Sequence, residues 1–467
     1  MIYEKIKVSA LVAEKRFEAK YFLNAYASTV RKMVESKLQF DTLSAFGKVF
    51  NPNVFKRQFC DKTESAIPYR QSHDIVKHFE EPSAYLPSAQ VSKLNLAVKE
   101  NWIIITGFGT IVGDVTLVDK HYAGNAFANN VCRFMPDDNV KYGFICAFLK
   151  SNYGKSQFNK NASGSTIRYI EAPVVRKTLI PRLSPSTVTT THDMIIKANQ
   201  LRDDANDIMT RVNLKLHELL NIEEDKLIPL SASTEKKVGA TFIIQSGHLN
   251  AKTFRARNYG LRKQSILDVF QSVKFDKLGS LLAIPPSYGA RFKRIEATPE
   301  LGIELLSQSD IFSVKPEGRI ISKRSLKNLD KEIVKKGTTL IPAQGTLGEN
   351  EIFAKAKFVY GYLEEKLVAG HVMRFVPNES KIPSGYLHAI LNSPLWFRLF
   401  RSSVYGTNLL GFITDLLVEY PIPRFSTQEE ADIDAMVKKA YEAFTEANRI
   451  EVLAISIIEQ EIESWQK

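Results

Sequence analysis

"IPRLS" at Ile180–Ser184 and "IPRFS" at Ile422–Ser426 are nearly one word written twice, 422 − 180 = 242 residues apart, each running into a long charged helical pattern. Working outward from this pair, other words recur at almost the same shift. "RFEAKYF" (Arg16–Phe22) stands against "TFRARNY" (Thr253–Tyr259), and "FKR" at Phe55–Arg57 against "FKR" at Phe292–Arg294, both shifted by 237. "GT" at Gly109–Thr110 returns at Gly345–Thr346, "CRFMP" (Cys132–Pro136) at "MRFVP" (Met373–Pro377), and "GFICAFLKS" (Gly143–Ser151) at "GYLHAILNS" (Gly385–Ser393). One such match is noise. A shift that stays between 236 and 242, always in chain order, marks a tandem duplication of most of the 467 residues.

Each copy has one internal plan. Its first part mixes short β-rich runs, such as Trp102–Val112 and Thr339–Ile341, with Gly, Pro and Asn punctuation, which reads as an irregular strand-rich α+β domain. A short helix is expected at Tyr142–Ser151 and again at Ser384–Asn392. After Pro181 and Pro423 the pattern changes. Met194, Ala198, Leu201, Ala205, Ile208, Val212, Leu216 and Leu219 recur in near-alternating steps of four and three, the spacing of a coiled-coil seam. Adding 242 gives Met436, Ala440, Ala443, Ala447, Ile450, Ala454, Ile458 and Glu461, with Ile462 beside the last. "STQEEAD" (Ser426–Asp432) sets a hydroxyl cap and carboxylates at the second helix's N-terminus.

A helix of about 36 residues runs on the order of 54 Å and needs cover for its apolar stripe. The matching helix of the other copy is the expected partner, the alternative being that each packs on its own domain. The seam itself leaves parallel and antiparallel pairing open. The expected divisions are residues 1–184 and 227–426 for the strand-rich domains, 185–226 for the first long helix with its linker, and 427–467 for the second helix. Two similar but unequal modules on such a spacer would meet duplex DNA roughly one to one and a half turns apart, leaving the bases between unread.

Composition bounds the rest. A net charge of +12 fits a polyanionic partner, and equally a basic soluble protein without one. Three cysteines, Cys60, Cys132 and Cys146, make no CxxC pair, which points to a reducing compartment. Met1–Ala10 lacks a signal-peptide profile and no apolar run approaches the roughly 18 residues of a membrane span, so a cytoplasmic protein is expected.

The order of variable domain, "IP" boundary, long helix, variable domain and long helix resembles the specificity (S) subunit of type I restriction-modification systems. The matching residues are Phe17, Ala19 and Phe22 with Phe254, Ala256 and Tyr259, the "GT" turns at Gly109 and Gly345, and the two "IPR" boundaries. The resemblance implies two target-recognition domains reading an asymmetric bipartite DNA site. It also implies an antiparallel coiled coil, with an internal pseudo-two-fold, that docks two modification (methyltransferase) subunits. S-adenosylmethionine would sit on those partners, and ATP and Mg on a restriction subunit where one joins. The second copy departs from the first by lacking the acidic residue that Glu18 supplies. Two further readings share the layout: the specificity chain of a type IIB-like restriction enzyme, and a two-headed protein-binding scaffold.

Catalytic motifs are sparse. "IPPSY" (Ile284–Tyr288) and "NPNVF" (Asn51–Phe55) approach the adenine-methyltransferase motif, but Ile284 cannot accept a bond from the target amine and the second word lacks a proline pair. "GFGTIVG" (Gly107–Gly113) runs into strand-like residues where a phosphate-binding loop needs a helix N-terminus, and no GxxxxGK[ST] exists. His73 and His78 are the one close histidine pair, with no acidic or cysteine cluster at metal-ligand spacing; a chain without chemistry or metal of its own is expected. DNA contacts are expected at Lys56, Arg57, Arg70 and Lys93 in the first copy, and at Arg291, Lys293, Arg294, Arg319, Lys323, Arg324 and Gln344 in the second. The shared Lys56–Arg57 and Lys293–Arg294 suit phosphates, and "GRIISKRS" (Gly318–Ser325) suits base edges.

Overall fold

Each repeated "IPR" word closes a two-stranded antiparallel ladder. Leu179–Pro181 pairs with Phe40–Thr42, placing Ile180 opposite Asp41, and Pro421–Pro423 pairs with Phe275–Lys277, placing Ile422 opposite Asp276. The arginine of the word then folds back onto that aspartate. Arg182 donates to both Asp41 oxygens at 2.6 and 2.8 Å, and Arg424 donates to Asp276 at 2.6 Å and to both Glu430 oxygens at 2.8 and 2.9 Å. The repeated arginine is thus a clip that ties the end of each β-rich part to its beginning.

The computed structural model describes Val8 and residues 19–22, 24–76, 82, 84–109, 112–164, 167–222, 243–249, 251–289, 291–348 and 351–465. Phe17, Glu18, His78, Thr110, the side chain of Ala19 and the linker from residue 223 lie outside the described residues. Helix and sheet are mixed, and the chain divides into two units: Met1–Asp203 with Glu446–Lys467, and Asp204–Thr445. Two long helices, Pro185–Leu219 and Thr427–Ser464, each give part of their length to each unit.

In the first unit a four-stranded sheet runs in the order Gly47–Phe50, Val131–Pro136, Ile103–Thr106, Val115–Leu117, all antiparallel. Beside it lies a three-stranded sheet ordered Ala84–Pro87, Ala66–Arg70, Ala126–Phe127, the last pair parallel. The second unit has the same two orders: Ser287–Tyr288, Val372–Phe375, Thr339–Pro342, Lys357–Phe358, and then Arg319–Ser322, Gly302–Leu306, Leu367–Val368, again with the last pair parallel.

The run Ile103-Ile104-Ile105 shows why these residues make a central strand. All three are fully buried, Ile103 and Ile105 in one apolar cluster with Phe134, Phe144 and Phe148, and Ile104 in another with Tyr69, Leu86 and Phe127. A strand covered on both faces needs apolar side chains on both parities. The arginine shared by "CRFMP" and "MRFVP" works inside this architecture. Arg133, 0% exposed, donates to the carbonyls of Val131, Phe127 and Leu96, and its counterpart Arg374 donates to those of Lys331, Glu332 and Tyr288. Burial brings Arg133 down to about 10, so it stays charged at neutral pH and its hydrogen bonds stitch neighbouring segments together.

The expected short helices are present at Tyr142–Lys150 and Ser384–Asn392, and a side chain from a long helix accepts a backbone N–H in the first turn of each. Gly143 N–H donates to His192 Nδ1 at 3.0 Å, and Gly385 N–H to Asp434 Oδ1 at 2.7 Å. Of the proposed seam, Ala198, Ala205, Ile208, Val212 and Leu216 are buried on the first long helix, and Ala440, Ala447, Ala454 and Ile458 on the second. Met194, Leu201, Met436, Ala443 and Ile450 are half-buried. Ile195, Arg202 and Val437 take deeper places beside them, because a straight helix at 3.6 residues per turn drifts from a strict 3.5-residue stripe.

Candidate nucleic-acid interface

Between the first edge strand and the three-stranded sheet, each unit makes an irregular excursion carrying its "FKR" word. In the first unit this is residues 51–59, with Lys56 and Arg57 exposed. The outer strand holds it: Cys60 N–H donates to Tyr85 O at 3.0 Å. Gln90, on the short helix Ser88–Leu94, grips it by donating to Lys56 O at 2.8 Å and accepting from Gln58 N–H at 3.2 Å. Lys93 is exposed in the last turn of that helix, and the Arg57 guanidinium sits 5.7 Å from the Tyr69 ring centre. Lys56, Arg57 and Lys93 are therefore brought to one helix-anchored loop region.

Arg70 is corrected by its surroundings. It is 2% exposed, its Nε donates to Asn125 Oδ1 at 2.9 Å, and its guanidinium lies 4.9 Å from the Tyr122 ring centre. It ends a strand whose last two residues are both buried, so it faces protein and is removed from the proposed DNA contacts.

In the second unit the excursion again follows its edge strand and again runs along an outer strand, here Arg319–Ser322. Ser322 N–H donates to Ile295 O at 2.8 Å and Ala297 N–H to Ile320 O at 3.2 Å. This ladder sets Arg291, Lys293 and Arg294, all exposed, against the strand and turn that carry Arg319, Lys323 and Arg324, also exposed. Arg319 meets Glu296 at 2.5 Å, which offsets part of its charge. "FKR" and "GRIISKRS" are thus one surface. Gln344 is elsewhere: half-buried in a strand paired with Leu410–Phe412, its backbone bonded to the Gln308 side chain through 3.1 and 3.3 Å bonds.

One anchoring position escaped the sequence reading. Asn51 Nδ2 donates to Asn129 O at 3.0 Å while its Oδ1 accepts from Ala172 N–H at 2.9 Å, fastening the start of the excursion to the segment after residue 170. Tyr288 holds the matching place in the second unit, at the end of the strand Ser287–Tyr288 that pairs with Val372–Phe375. The matching positions carry different side chains, so residue identity gave no signal. Asn51, the polar residue of "NPNVF", has both amide ends committed to this task.

No family model and no curated protein matches the chain. Solved structures do. The likeness is to type I restriction-modification S subunits. That from M. genitalium shares 12% identity at a TM-score of 0.36, covering 92% of this chain and 96% of the other. The HsdS subunit of Thermoanaerobacter tengcongensis shares 12% at 0.28, covering 92% and 95%. A chain from a structure on complex assembly and conformational transition of the type I R-M system shares 14% at 0.29, covering 91% and 97%.

A shallow cleft in the second unit is lined by Lys252, Thr253, Phe254, Arg255, Tyr405 and Asp415, and Lys252 Nζ donates to the Asp415 carbonyl at 2.8 Å. His73 Nε2 lies 3.1 Å from Asp74 Oδ1. Among the described residues no group of three His, Cys, Asp or Glu side chains converges as a metal site. No helix among them is long and apolar enough to cross a membrane.

Proposed function

We propose that this chain is a non-catalytic DNA sequence-recognition subunit of a type I restriction-modification complex. The observation that carries the reading is the repeated basic excursion, pinned along the outer strand of the same three-stranded sheet in both units while the side chains around it differ. Lys56–Arg57 and Lys293–Arg294 occupy the shared part and hold phosphates. Lys93 in one unit, and Arg319, Lys323 and Arg324 in the other, occupy the unshared part and read bases.

In this reading residues 1–184 and 227–426 are two recognition domains for unlike halves of a bipartite site. The helices within 185–226 and 427–467 form an antiparallel coiled coil that sets the gap and docks two methyltransferase subunits, in the cytoplasm. Support for that direction comes from the first unit, where Ser184 meets Glu461 and Arg202 meets Asn448 and Glu451, so ascending positions on one helix meet descending positions on the other. S-adenosylmethionine belongs to those partners, and ATP with Mg to a restriction subunit.

The test is a titration of the full-length chain with duplex DNA across salt concentrations. Affinity should fall steeply with salt, and Lys293→Ala with Arg294→Ala should flatten that slope by about two contacts. A protein-binding scaffold would show no such slope.

A further inference from the structure

Each unit also carries a β-hairpin that no recognition residue above explains. In the first unit Ser163 and Tyr169 exchange backbone hydrogen bonds at 2.9 Å in both directions, and Tyr169 bridges to Phe108, in the "GFGT" word. In the second, Val404–Tyr405 pairs with Leu410–Phe412, which pairs onward with Gln344–Gly345 of "QGT". Gly164 and Gly406 are 242 residues apart, and both have positive φ, +91° and +98°. A Cβ there would meet the carbonyl oxygen of Ile167 at 2.1 Å or of Leu409 at 2.4 Å, so both positions require glycine.

Three residues beyond each glycine an aliphatic side chain stands in the open: Ile167 is 59% exposed and Leu409 is 63% exposed. Below the tip, both hairpins place a tyrosine on the same rung, on opposite strands. It is Tyr169 opposite Ser163 in one and Tyr405 opposite Gly411 in the other, and they are 38% and 48% exposed. The Asn51 clip and the sheet register fix where the hairpins stand. Asn51 joins the start of the basic excursion to Ala172, just past one hairpin; in the second unit Ser287–Tyr288 runs parallel to Thr339–Pro342 across Val372–Phe375, so Tyr288 and Gln344, which pairs with the hairpin, leave the same sheet end. Tip and cationic loop therefore leave the same end of the four-stranded sheet in each unit.

We propose that these tips are apolar wedges: bound duplex DNA is pressed by Ile167 in one half-site and by Leu409 in the other, which unstacks a base step and bends the helix without reading its sequence. The inference rests on the DNA-binding function proposed above. Duplex DNA is the occupant because the exposed aliphatic group leaves the same sheet end as a loop whose exposed charges are mostly lysine and arginine, with Glu296 the acidic exception in the second unit, matching a phosphate-lined groove that an apolar side chain enters. A wedge should also be alike in modules that read different bases, whereas a reader should differ. The pair Ile and Leu at one structural position meets that condition, while the neighbouring Phe108 and Gln344 do not.

The experiment uses the full-length chain, duplexes selected by it from a random-sequence pool, and the double variant Ile167→Ala with Leu409→Ala, whose exposed sites leave folding unchanged by melting. End-to-end fluorescence transfer reports bending, permanganate reactivity reports unstacked thymines, and a salt titration reports phosphate contacts. Wild type is expected to bend the duplex and expose thymines at two places, and the variant to lose both with about tenfold weaker binding and an unchanged salt slope. An unbent wild-type complex, or a variant that bends DNA as well as wild type, overturns the wedge while leaving DNA recognition standing. A variant that bends DNA normally but fails to bind a partner protein makes the tips a protein-docking feature, again overturning it. If the wild-type chain selects no DNA at all, the recognition function falls and the wedge with it.

Discussion

Arg202 on the first long helix and Glu451 on the second form an ion pair of 2.9 Å with side chains only 8% and 12% exposed. Lys150 reaches the other Glu451 oxygen at 2.6 Å, and Asn448 accepts the second Arg202 N–H at 2.9 Å. Burial alone would raise the Glu451 carboxyl; the Arg202 and Lys150 charges outweigh it and hold the group at about 2. Shifting by 242 residues, the second unit has Phe444, Met209 and Asn392 where the first has Arg202, Glu451 and Lys150. The polar cluster therefore has no counterpart at the equivalent positions of the second unit.

This asymmetry gives a stability prediction. Glu451→Met alone strands the buried Arg202 and the half-buried Lys150 and should cost about 3 to 5 kcal/mol in a urea melt. Replacing all three with the second unit's residues, Arg202→Phe, Glu451→Met and Lys150→Asn, should recover most of that loss. The wild-type contribution is present above the ordinary carboxylate value near 4.5 and is lost as pH falls from there toward about 2, since the folded-state value is the depressed one.

A second pH effect comes from His388, fully buried between Thr339 and Tyr441 at 3.2 Å on each ring nitrogen. Burial, with the Lys357 charge adding to it, drives the imidazole down to about 3. A base with a depressed folded value stabilises above its unfolded value of 6.5, and stability declines as pH falls from there to about 3, with a slope approaching ~1.4 kcal/mol per pH unit. Denaturant melts between pH 7 and 4 should show this slope, and His388→Asn should flatten it.

The two "IPR" arginines should not respond alike. The Arg182 side chain is 60% exposed against Asp41, so Arg182→Ala should leave the melting temperature within its scatter. Arg424 is 18% exposed and serves Asp276 and Glu430, the latter 4% exposed, so Arg424→Ala should cost about 2 kcal/mol. Equal effects in a thermal melt would contradict the burial argument.

On DNA, Arg324→Ala should relax one half-site by about 1 to 3 kcal/mol of discrimination, whereas Lys56→Ala should weaken all duplexes alike. Competition binding with single-base variants of a selected site separates the two outcomes.

Much of this arrangement was legible in the sequence because a duplication repeats words at a fixed shift, and "IPRLS/IPRFS" carries its arginine clip in plain view. Its partner was overlooked: "FDT" at Phe40–Thr42 and "FDK" at Phe275–Lys277 recur with a shift of 235 and could have been found. Sheet order was not legible, since pairing between distant strands leaves no local periodicity. Arg70 misled because a basic residue at a strand end looks exposed until its partners Asn125 and Tyr122, more than fifty residues on, are known. The clip at Asn51 was hidden because the matching position of the second copy, Tyr288, carries a phenol in place of an amide, so no word repeats there.

The measurement that bears most directly on bipartite recognition is sequence selection from a random duplex pool by the full-length chain, run beside a Lys323→Ala, Arg324→Ala variant. Two unlike blocks at a fixed spacing, with only one block blurred in the variant, is the predicted result. A single continuous motif, or equal blurring of both blocks, would contradict it.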